Sequence, residues 1–157
     1  IVISHANPSF WHPAKRNKSK EILSKLSETG GILGFSLYPH HLNNASDCTL
    51  DDFCKMIAKT VELMGINHVG FGSDLCQDQP DSIVEWMRVG KWTKSIDYGE
   101  GSASNPGFPA MPTWFKDNRD WHNIIKGLKN VGFNEEEINK IKGENWLSFF
   151  RKSFTSI

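Results

Sequence analysis

The sequence predicts an α/β fold in which short parallel strands alternate with helices. Three apolar runs of strand length carry this prediction, at residues 1–5, 32–37 and 68–74. Two segments whose apolar residues recur at helical spacing lie between these runs. Apolar strands joined by helical crossovers are typical of a parallel sheet that is covered on both faces.

The first strand and the first helix are separated by a long polar loop. Residues 1–5 read Ile-Val-Ile-Ser-His, a β-branched run typical of a buried strand, and residues 6–18 form the loop. Ser19 is the predicted N-cap of a helix that ends near the glycine pair at 30–31. The apolar stripe predicted for this helix consists of Ile22, Leu23 and Leu26.

The second and third strands flank another helix. Residues 32–37 form the second strand and residues 38–48 a loop, after which Thr49 is the predicted helix N-cap. Gly65 is expected to stop this helix before the third strand at 68–74. The apolar face predicted for the helix consists of Phe53, Ile57, Val61 and Met64.

The remainder of the chain changes character. Residues 75–118 are rich in proline, glycine and tryptophan, which predicts a long loop or a lid insertion. Two helices are expected to follow, at 119–130 and over 134–152, the second with Asn134 as its N-cap. The inward residues predicted for the first of these helices are Ile124, Ile125 and Leu128. We therefore expect a single domain over residues 1–157.

Composition excludes some classes of function. The 157 residues are 38% hydrophobic and 23% charged, as in an ordinary globular domain. Eighteen basic residues balance 18 acidic ones without a basic cluster, which argues against a nucleic-acid partner. Cys48, Cys54 and Cys76 are odd in number and lack zinc-site spacing. They fit reduced thiols, which slightly favours a reducing compartment such as the cytoplasm.

Polar side chains follow each predicted strand. They are His5, the stretch at 36–38 and Asp74, and the carboxyl ends of parallel strands share one edge where ligands bind. The first loop adds Arg16, whose guanidinium can hold a carboxylate through two parallel hydrogen bonds. Imidazole is a common zinc ligand, and a carboxylate can bind a metal, an amine or a proton. These residues suit a small anionic substrate and a metal ion.

Each of these residues also has a simpler interpretation. His5 could be a hydrogen-bonded loop residue, Asp74 could cap a turn, and Arg16 could be a solvated charge. The adjacent pair His40 and His41 is expected at the loop surface, because neighbouring side chains point in different directions. Three strands also leave two architectures open, a small open sheet or part of a larger barrel.

Several segments together resemble one known family. The chain looks like the C-terminal part of the membrane (renal) dipeptidase family, the zinc-dependent peptidases of the M19 type. The step of eleven residues from His5 to Arg16 is the most specific feature. The matching segments are Ser-His-Ala-Asn at 4–7, Arg-Asn at 16–17, Gly-Gly-Ile at 30–32, Gly-Ile-Asn-His-Val-Gly-Phe-Gly-Ser-Asp at 65–74 and Gly-Glu-Asn-Trp-Leu at 143–147.

The resemblance implies a fold and a role for each matched residue. The family folds as a (β/α)8 TIM barrel of the metal-dependent hydrolase kind, with two zinc ions at its mouth, and cleaves dipeptides. It implies that His5 is a zinc ligand and that Arg16 holds the C-terminal carboxylate of the substrate. It also implies that Asp74 meets the free amino end or the departing nitrogen, and that Tyr38 lies near the substrate. A zinc-bridging hydroxide would attack the peptide carbon.

The chain also differs from the family. Cys76 replaces the second aspartate of the family's Asp-Phe-Asp-Gly, which bears on loop geometry and substrate preference. The family's His-x-Asp pair, its bridging glutamate and a further histidine ligand have no counterpart in residues 1–157. We therefore expect the C-terminal portion of a dipeptidase barrel, with about three parallel strands, that is inactive alone. Its expected partners are a dipeptide and either the N-terminal part of the barrel or a second copy, joined through open strand edges. The alternative is a non-catalytic module for small-molecule binding or assembly.

Overall fold

The computed structural model describes residues 1–89, 103–104 and 106–154, without the side chains of residues 88 and 89. The chain divides into two compact units, Ile1–Leu75 with Met111–Ile157, and Cys76–Ala110. Residues 90–102 and 105 of the predicted loop or lid at 75–118, including Trp92, lie outside the described residues. The function of that segment as a lid therefore stays a prediction.

A parallel three-stranded sheet lies at the centre of the larger unit. The strands are β1 (Val2–Ile3), β2 (Ile32–Phe35) and β3 (Val69–Phe71), in the order β1-β2-β3. Val2 pairs with Ile32 and Leu33 with Val69, both in parallel register. The predicted parallel sheet is confirmed, although each strand is shorter than the apolar run that predicted it. The prediction that the first strand is buried is wrong, because Val2 is 39% exposed and Ile3 is only half-buried at the edge of the sheet.

The two crossover helices begin at the predicted caps. Helix α1 (Lys20–Glu28) starts where Ser19 Oγ accepts from the Ile22 N–H at 3.3 Å. Helix α2 (Leu50–Met64) starts where Thr49 Oγ1 accepts from the Asp52 N–H at 3.1 Å. The predicted inward faces are largely confirmed, but Ile22 is 48% exposed and does not belong to the core.

Helix α3 (Ser82–Val89) lies in the smaller unit, within the stretch predicted to be irregular. Pro80 precedes it, and residues 81–89 contain neither glycine nor proline, so nothing locally opposes a helix. In the same unit, Asp81 Oδ1 accepts from the Phe108 N–H at 2.9 Å. The prediction of a loop over the whole stretch missed this helix, because it was based on the high average content of proline and glycine.

The C-terminal part of the larger unit contains three helices. They are α4 (Trp121–Asn130), α5 (Glu135–Asn139) and α6 (Asn145–Phe154). Asn134 caps α5 as predicted, through a reciprocal pair of hydrogen bonds with Glu137. The predicted continuous helix over 134–152 is wrong, because a π-helical turn at Lys140–Glu144 and the non-helical backbone of Gly143 divide it.

The hydrophobic core joins the sheet to the helices that cover it. Ile57 of α2 and both Ile124 and Leu128 of α4 are fully buried, whereas Ile125 is only half-buried. In the described part of the chain, no helix is both long enough and apolar enough to span a membrane. The largest fully buried aromatic side chains are Phe35, Phe53 and Phe115.

Glycines allow the strands to approach one another closely. A Cβ on either Gly34 or Gly72 would overlap the carbonyl oxygen of Ser4. A Cβ on Gly70 would overlap the indole of Trp146, whose Nε1 donates to the Phe71 carbonyl at 3.0 Å. Gly70 and Gly72 thus each leave room that a Cβ would fill, the first for Trp146 and the second for Ser4.

Helix α6 also holds the outer edge of β3. Asn145 is buried, and its Nδ2 donates to the carbonyls of Ile66 and Val69 at 2.7 and 2.8 Å. Together with the Trp146 indole, this amide occupies the β3 carbonyls that point away from β2. The outer edge of β3 therefore has side-chain partners, whereas β1 forms the other edge of the sheet.

Candidate functional site

The predicted site residues lie at one end of the sheet. His5 follows β1, Tyr38 follows β2 and Asp74 follows β3, while Arg16 lies in the loop between β1 and α1. Because the strands are parallel, their carboxyl ends share one edge. We call this edge, formed by His5, Arg16, Tyr38, Asp74 and the loops that carry them, the rim.

His5 and Asp74 face each other across the rim. His5 Nε2 lies 4.0 Å from Asp74 Oδ1, and the two side chains are 31% and 33% exposed. The other ring nitrogen of His5, Nδ1, lies 2.8 Å from Ser4 Oγ. Asp74 has a φ of +57°, a left-handed conformation that is uncommon outside glycine. The prediction that these two residues come together is consistent with this geometry.

The electrostatics of Asp74 connect it to Arg16 as well. Burial raises the pKa of the Asp74 carboxyl, while the charges of His5 and Arg16 act in the opposite direction. Arg16 is exposed, and among the described residues no carboxylate lies within 4.0 Å of its guanidinium. The rim thus holds a half-buried carboxyl close to an accessible guanidinium.

Tyr38 packs against two histidines. Its ring centroid lies 5.5 Å from that of His40, nearly edge-on, and 5.1 Å from that of His41. The expectation that His40 and His41 lie at the loop surface is wrong for His41, which is only 7% exposed. The 3-10 turn Pro39–His41 brings the imidazole to Ser36, where Nδ1 lies 2.8 Å from Oγ. A local turn, which adjacency in sequence does not reveal, decides its direction.

Four buried polar residues hold the rim loops together. Asn7 Nδ2 donates to the carbonyls of Ser36 and His41, and Asn7 Oδ1 accepts from the Ser36 N–H, at 3.0 to 3.1 Å. Asn17 Oδ1 accepts from the Asn7 N–H at 2.9 Å, and its Nδ2 donates to the His41 carbonyl at 3.0 Å. We call Asn7, Asn17, Ser36 and His41 the amide network.

Sequence reasoning did not assign a role to the amide network. Asn7 and Asn17 belong to two of the segments that resemble the family, at 4–7 and 16–17, but no role was predicted for either residue. The available signal was their position, since both asparagines lie in the loop that follows the first strand. Buried polar groups in such loops require partners, and here the partners are main-chain groups of the neighbouring strand's loop.

The donor set bears on the predicted zinc. His5 has the features of a ligand, with one ring nitrogen held by Ser4 and the other directed to the rim near Asp74. Within residues 1–89, 103–104 and 106–154, no three His, Cys, Asp or Glu side chains cluster as metal ligands would. Zinc sites in proteins use at least three protein ligands. The described residues therefore do not form a zinc site by themselves, and His5 as a ligand stays a prediction.

The two buried cysteines, Cys48 and Cys54, are poor nucleophiles. Burial raises the pKa of both Cys48 and Cys54 to about 12, with the charge of Asp52 adding to the effect at Cys48 and that of Asp51 at Cys54. Such thiols stay protonated at neutral pH and are poor nucleophiles. Cys48, Cys54 and Cys76 form no disulfide with one another, and Cys76 is exposed in the smaller unit.

Comparison with known sequences identifies the family. The family model for membrane dipeptidase (peptidase family M19) matches residues 1–94. Dipeptidase aclJ of Aspergillus oryzae is 36% identical over 76 residues, which cover 47% of this chain and 18% of that protein. An uncharacterized dipeptidase of Schizosaccharomyces pombe is 29% identical over 76 residues, with the same coverage.

Solved structures share the fold. An amidohydrolase from Pseudomonas aeruginosa matches with a TM-score of 0.87 at 25% identity, over 99% of this chain and 46% of that one. A metallopeptidase from Rhodobacter sphaeroides, liganded with a phosphinate mimic of the dipeptide L-Ala-D-Ala, matches with a TM-score of 0.72 at 17% identity. The second match covers 98% of this chain and 36% of that chain, and it supports the fold alone.

These findings confirm the predicted fold class, three parallel strands with flanking helices that form part of a (β/α)8 barrel, and the predicted family. That the chain is the C-terminal part of the barrel stays a prediction. The chain spans less than half the length of each of these relatives and solved structures. The family model covers more than half of the chain, including β1, β2, β3 and all four predicted site residues. The chain belongs to the membrane dipeptidase family, peptidase family M19.

Proposed function

We propose that this chain supplies the substrate-binding rim of a zinc dipeptidase that hydrolyses the peptide bond of dipeptides. The observation that carries the proposal is the approach of His5 Nε2 to Asp74 Oδ1 at 4.0 Å. Arg16 lies near enough to act on the pKa of the same carboxyl. A prospective metal ligand and groups of both charge signs thus gather at the carboxyl edge of one parallel sheet.

A dipeptide carries a carboxylate at one end and an ammonium group at the other, and the rim complements both. Arg16 is exposed and holds the C-terminal carboxylate of the substrate through its two-pronged guanidinium. Asp74 is half-buried and accepts hydrogen bonds from the amino end or meets the departing nitrogen. Tyr38 flanks the substrate from the loop that follows β2.

The metal requires more than this chain's described residues provide. We propose that His5 contributes one ligand and that the remaining ligands come from a longer polypeptide. A zinc ion bound there would lower the pKa of its water toward about 7 and so supply the nucleophile. The chain alone is therefore expected to bind zinc weakly and not to hydrolyse dipeptides.

Hydrolysis and zinc content, measured on the 157-residue chain and on the longer protein, test this proposal. We expect turnover with bound zinc only in the longer protein, and Arg16→Ala should raise its KM for dipeptides about 100-fold. Lys126→Ala removes another exposed positive charge in the larger unit and should leave KM unchanged. Stoichiometric zinc with turnover in the 157-residue chain would contradict its dependence on further ligands. No dipeptide hydrolysis in the longer protein would contradict the dipeptidase itself.

A second candidate function is binding without hydrolysis. Two observations favour this function. Among the described residues no three side chains cluster as metal ligands would, whereas the charged groups that would bind a zwitterion, Arg16 and Asp74, are both present. Such a module would bind dipeptides or other zwitterions through Arg16 and Asp74 without turnover. Calorimetric titration of the longer protein with a dipeptide distinguishes the two, because binding with no product formed over hours supports the module and contradicts the dipeptidase.

We further propose that β1 is the edge through which the chain joins its partner. Ile1 and Val2 are 79% and 39% exposed, whereas the outer carbonyls of β3 have partners from Asn145 and Trp146. An open apolar edge pairs readily with another strand, either from the rest of the barrel or from a second copy. Light scattering should therefore detect association of the 157-residue chain, and Val2→Lys should reduce it. A clean monomer at high concentration would contradict this proposal.

A further inference from the structure

His41 lies where two loops of the rim meet. It is buried at the end of the turn Pro39–His41, and its carbonyl accepts from two side-chain amides. These amides belong to Asn7, at 3.1 Å, and to Asn17, at 3.0 Å. Asn17 is the neighbour of Arg16 in sequence. The main chain at His41 is therefore bonded to the segment that carries Arg16.

The side chain of His41 is bonded to the segment that carries Tyr38. Its Nδ1 lies 2.8 Å from Ser36 Oγ, and the same oxygen accepts from the Tyr38 N–H at 3.2 Å. Its ring also packs on the Tyr38 ring, with the centroids 5.1 Å apart. The hydroxyl and the imidazole thus restrain both the backbone and the ring of Tyr38.

The imidazole makes these contacts in its neutral form. Burial first, and then the charges of Arg16, His5, His40 and His12, together lower the pKa of His41 to about 4. At neutral pH the ring therefore bonds to Ser36 without burying a charge next to Arg16.

We propose that His41 is a positioning residue that fixes Tyr38 relative to Arg16 across the rim. The inference rests on the function proposed above, in which both residues contact the dipeptide. His41 itself need not touch the substrate. One residue unites the two loops, its carbonyl bonded to the loop of Arg16 and its side chain to the loop of Tyr38.

Three substitutions separate this role from a merely structural one. His41→Phe keeps a ring against Tyr38 but loses the bond to Ser36. Ser36→Ala removes that bond and also the one that Ser36 Oγ accepts from the Tyr38 N–H. His41→Asn is the conservative variant, since its amide can occupy the place of Nδ1. All three leave the bonds from Asn7 and Asn17 to the main-chain carbonyl of residue 41 in place.

The kinetic experiment uses the zinc-loaded longer protein with a dipeptide substrate. We expect His41→Phe and Ser36→Ala each to raise KM about 10-fold with a smaller change in kcat, because misplaced binding groups weaken substrate binding. The double variant should be no worse than Ser36→Ala alone, since Ser36→Ala already removes the bond to His41. His41→Asn should restore KM to within about 2-fold of the unchanged protein.

A second readout uses the 157-residue chain and does not depend on activity. The aromatic NMR signals of Tyr38, assigned by their loss in Tyr38→Phe, should shift and broaden in Ser36→Ala, a variant that keeps the imidazole packed on the Tyr38 ring. If Ser36→Ala leaves both these signals and KM unchanged, the positioning role is overturned. If Arg16→Ala also leaves KM unchanged, the proposed function fails as well, so the two failures are distinguishable.

Discussion

Hydrogen bonds from side-chain amides fix the loops that carry Arg16 and Tyr38. The position of Asp74 depends instead on glycines, which let neighbouring main chains approach closely. In the loop that carries Arg16, Asn7 and Asn17 donate hydrogen bonds to main-chain carbonyls of the loop that carries Tyr38. Below Asp74, Gly72 gives the Ser4 carbonyl room to approach, and Trp146 closes the other side of β3. Both supports belong to the larger unit and end at the same rim.

The two supports are sensitive to different changes. A hydrogen-bonded network tolerates small adjustments of shape but not the loss of a partner, because a buried carbonyl then stays unsatisfied. A close approach of main chains tolerates no added atom, because the backbone cannot move aside. Each kind of support can therefore be tested by the substitution that it should tolerate least.

The largest effect is expected from Gly72→Ala. The added methyl group would overlap the Ser4 carbonyl oxygen, which belongs to the backbone and cannot rotate away. We expect a loss of at least about 3 kcal/mol in the free energy of unfolding, as in severe overpacking. Urea titration followed by tryptophan fluorescence measures it.

Gly143→Ala is the matched control for this change. No heavy atom lies within 4 Å of a Cβ built there, and its φ of 176° is extended backbone that alanine adopts. We expect a change within about 0.5 kcal/mol. Equal destabilisation by both alanines would show that the close approach at Ser4 does not support β3.

The amide network should respond nearly as strongly to Asn7→Ala. This substitution removes three side-chain hydrogen bonds and leaves main-chain groups of Ser36 and His41 short of partners. We expect the free energy of unfolding to fall by about 3 kcal/mol. The exposed Asn130 at the end of α4 is the control, and its alanine variant should change stability by less than about 0.5 kcal/mol. Similar losses in both variants would contradict a special role for Asn7.

The elements that the sequence predicts correctly are those decided locally. Ser19 and Thr49 cap helices because a hydroxyl before an amphipathic run satisfies N–H groups that the helix leaves free. The placement of His5 and Asp74 at one edge followed from the parallel order of the strands alone. Both inferences need only neighbours in sequence or a general rule of topology.

The errors concern residues whose environment is made by distant parts of the chain. His41 turns inward because Ser36 and the two asparagines receive it, and two of these partners stand more than 20 positions away. Gly143 interrupts a helical pattern just before Asn145 and Trp146, which bind the outer edge of β3. Hydrophobic periodicity carries no information about either contact.

The pH dependence of stability separates the two supports further. The pKa of His41 is lowered from 6.5 to about 4 in the folded chain, so between these values the unfolded chain binds more protons. Stability is therefore lost as the pH falls from about 6.5 toward 4, by about 1 kcal/mol per pH unit. Urea midpoints measured at pH 7, 6 and 5 should show this slope, and His41→Asn should reduce it. If the slope is unchanged in His41→Asn, the pH dependence of stability arises from other titratable groups.

The smallest effect is expected from Trp146→Phe, on the glycine side of the rim. The substitution keeps an aromatic ring against Gly70 but removes the hydrogen bond from Nε1 to the Phe71 carbonyl. We expect a loss of about 1 kcal/mol, the usual worth of one such bond.

Trp121→Phe makes the same exchange of rings at a tryptophan that packs on Phe71 and Phe115. Its indole N–H has no hydrogen-bond partner among the described residues, so a smaller loss is expected there. Two equal losses would mean that ring packing alone holds β3. A larger loss at Trp146 would assign the difference to the bond at the strand edge, and Asp74, three residues beyond Phe71, would depend on a side chain of α6 as well as on glycine.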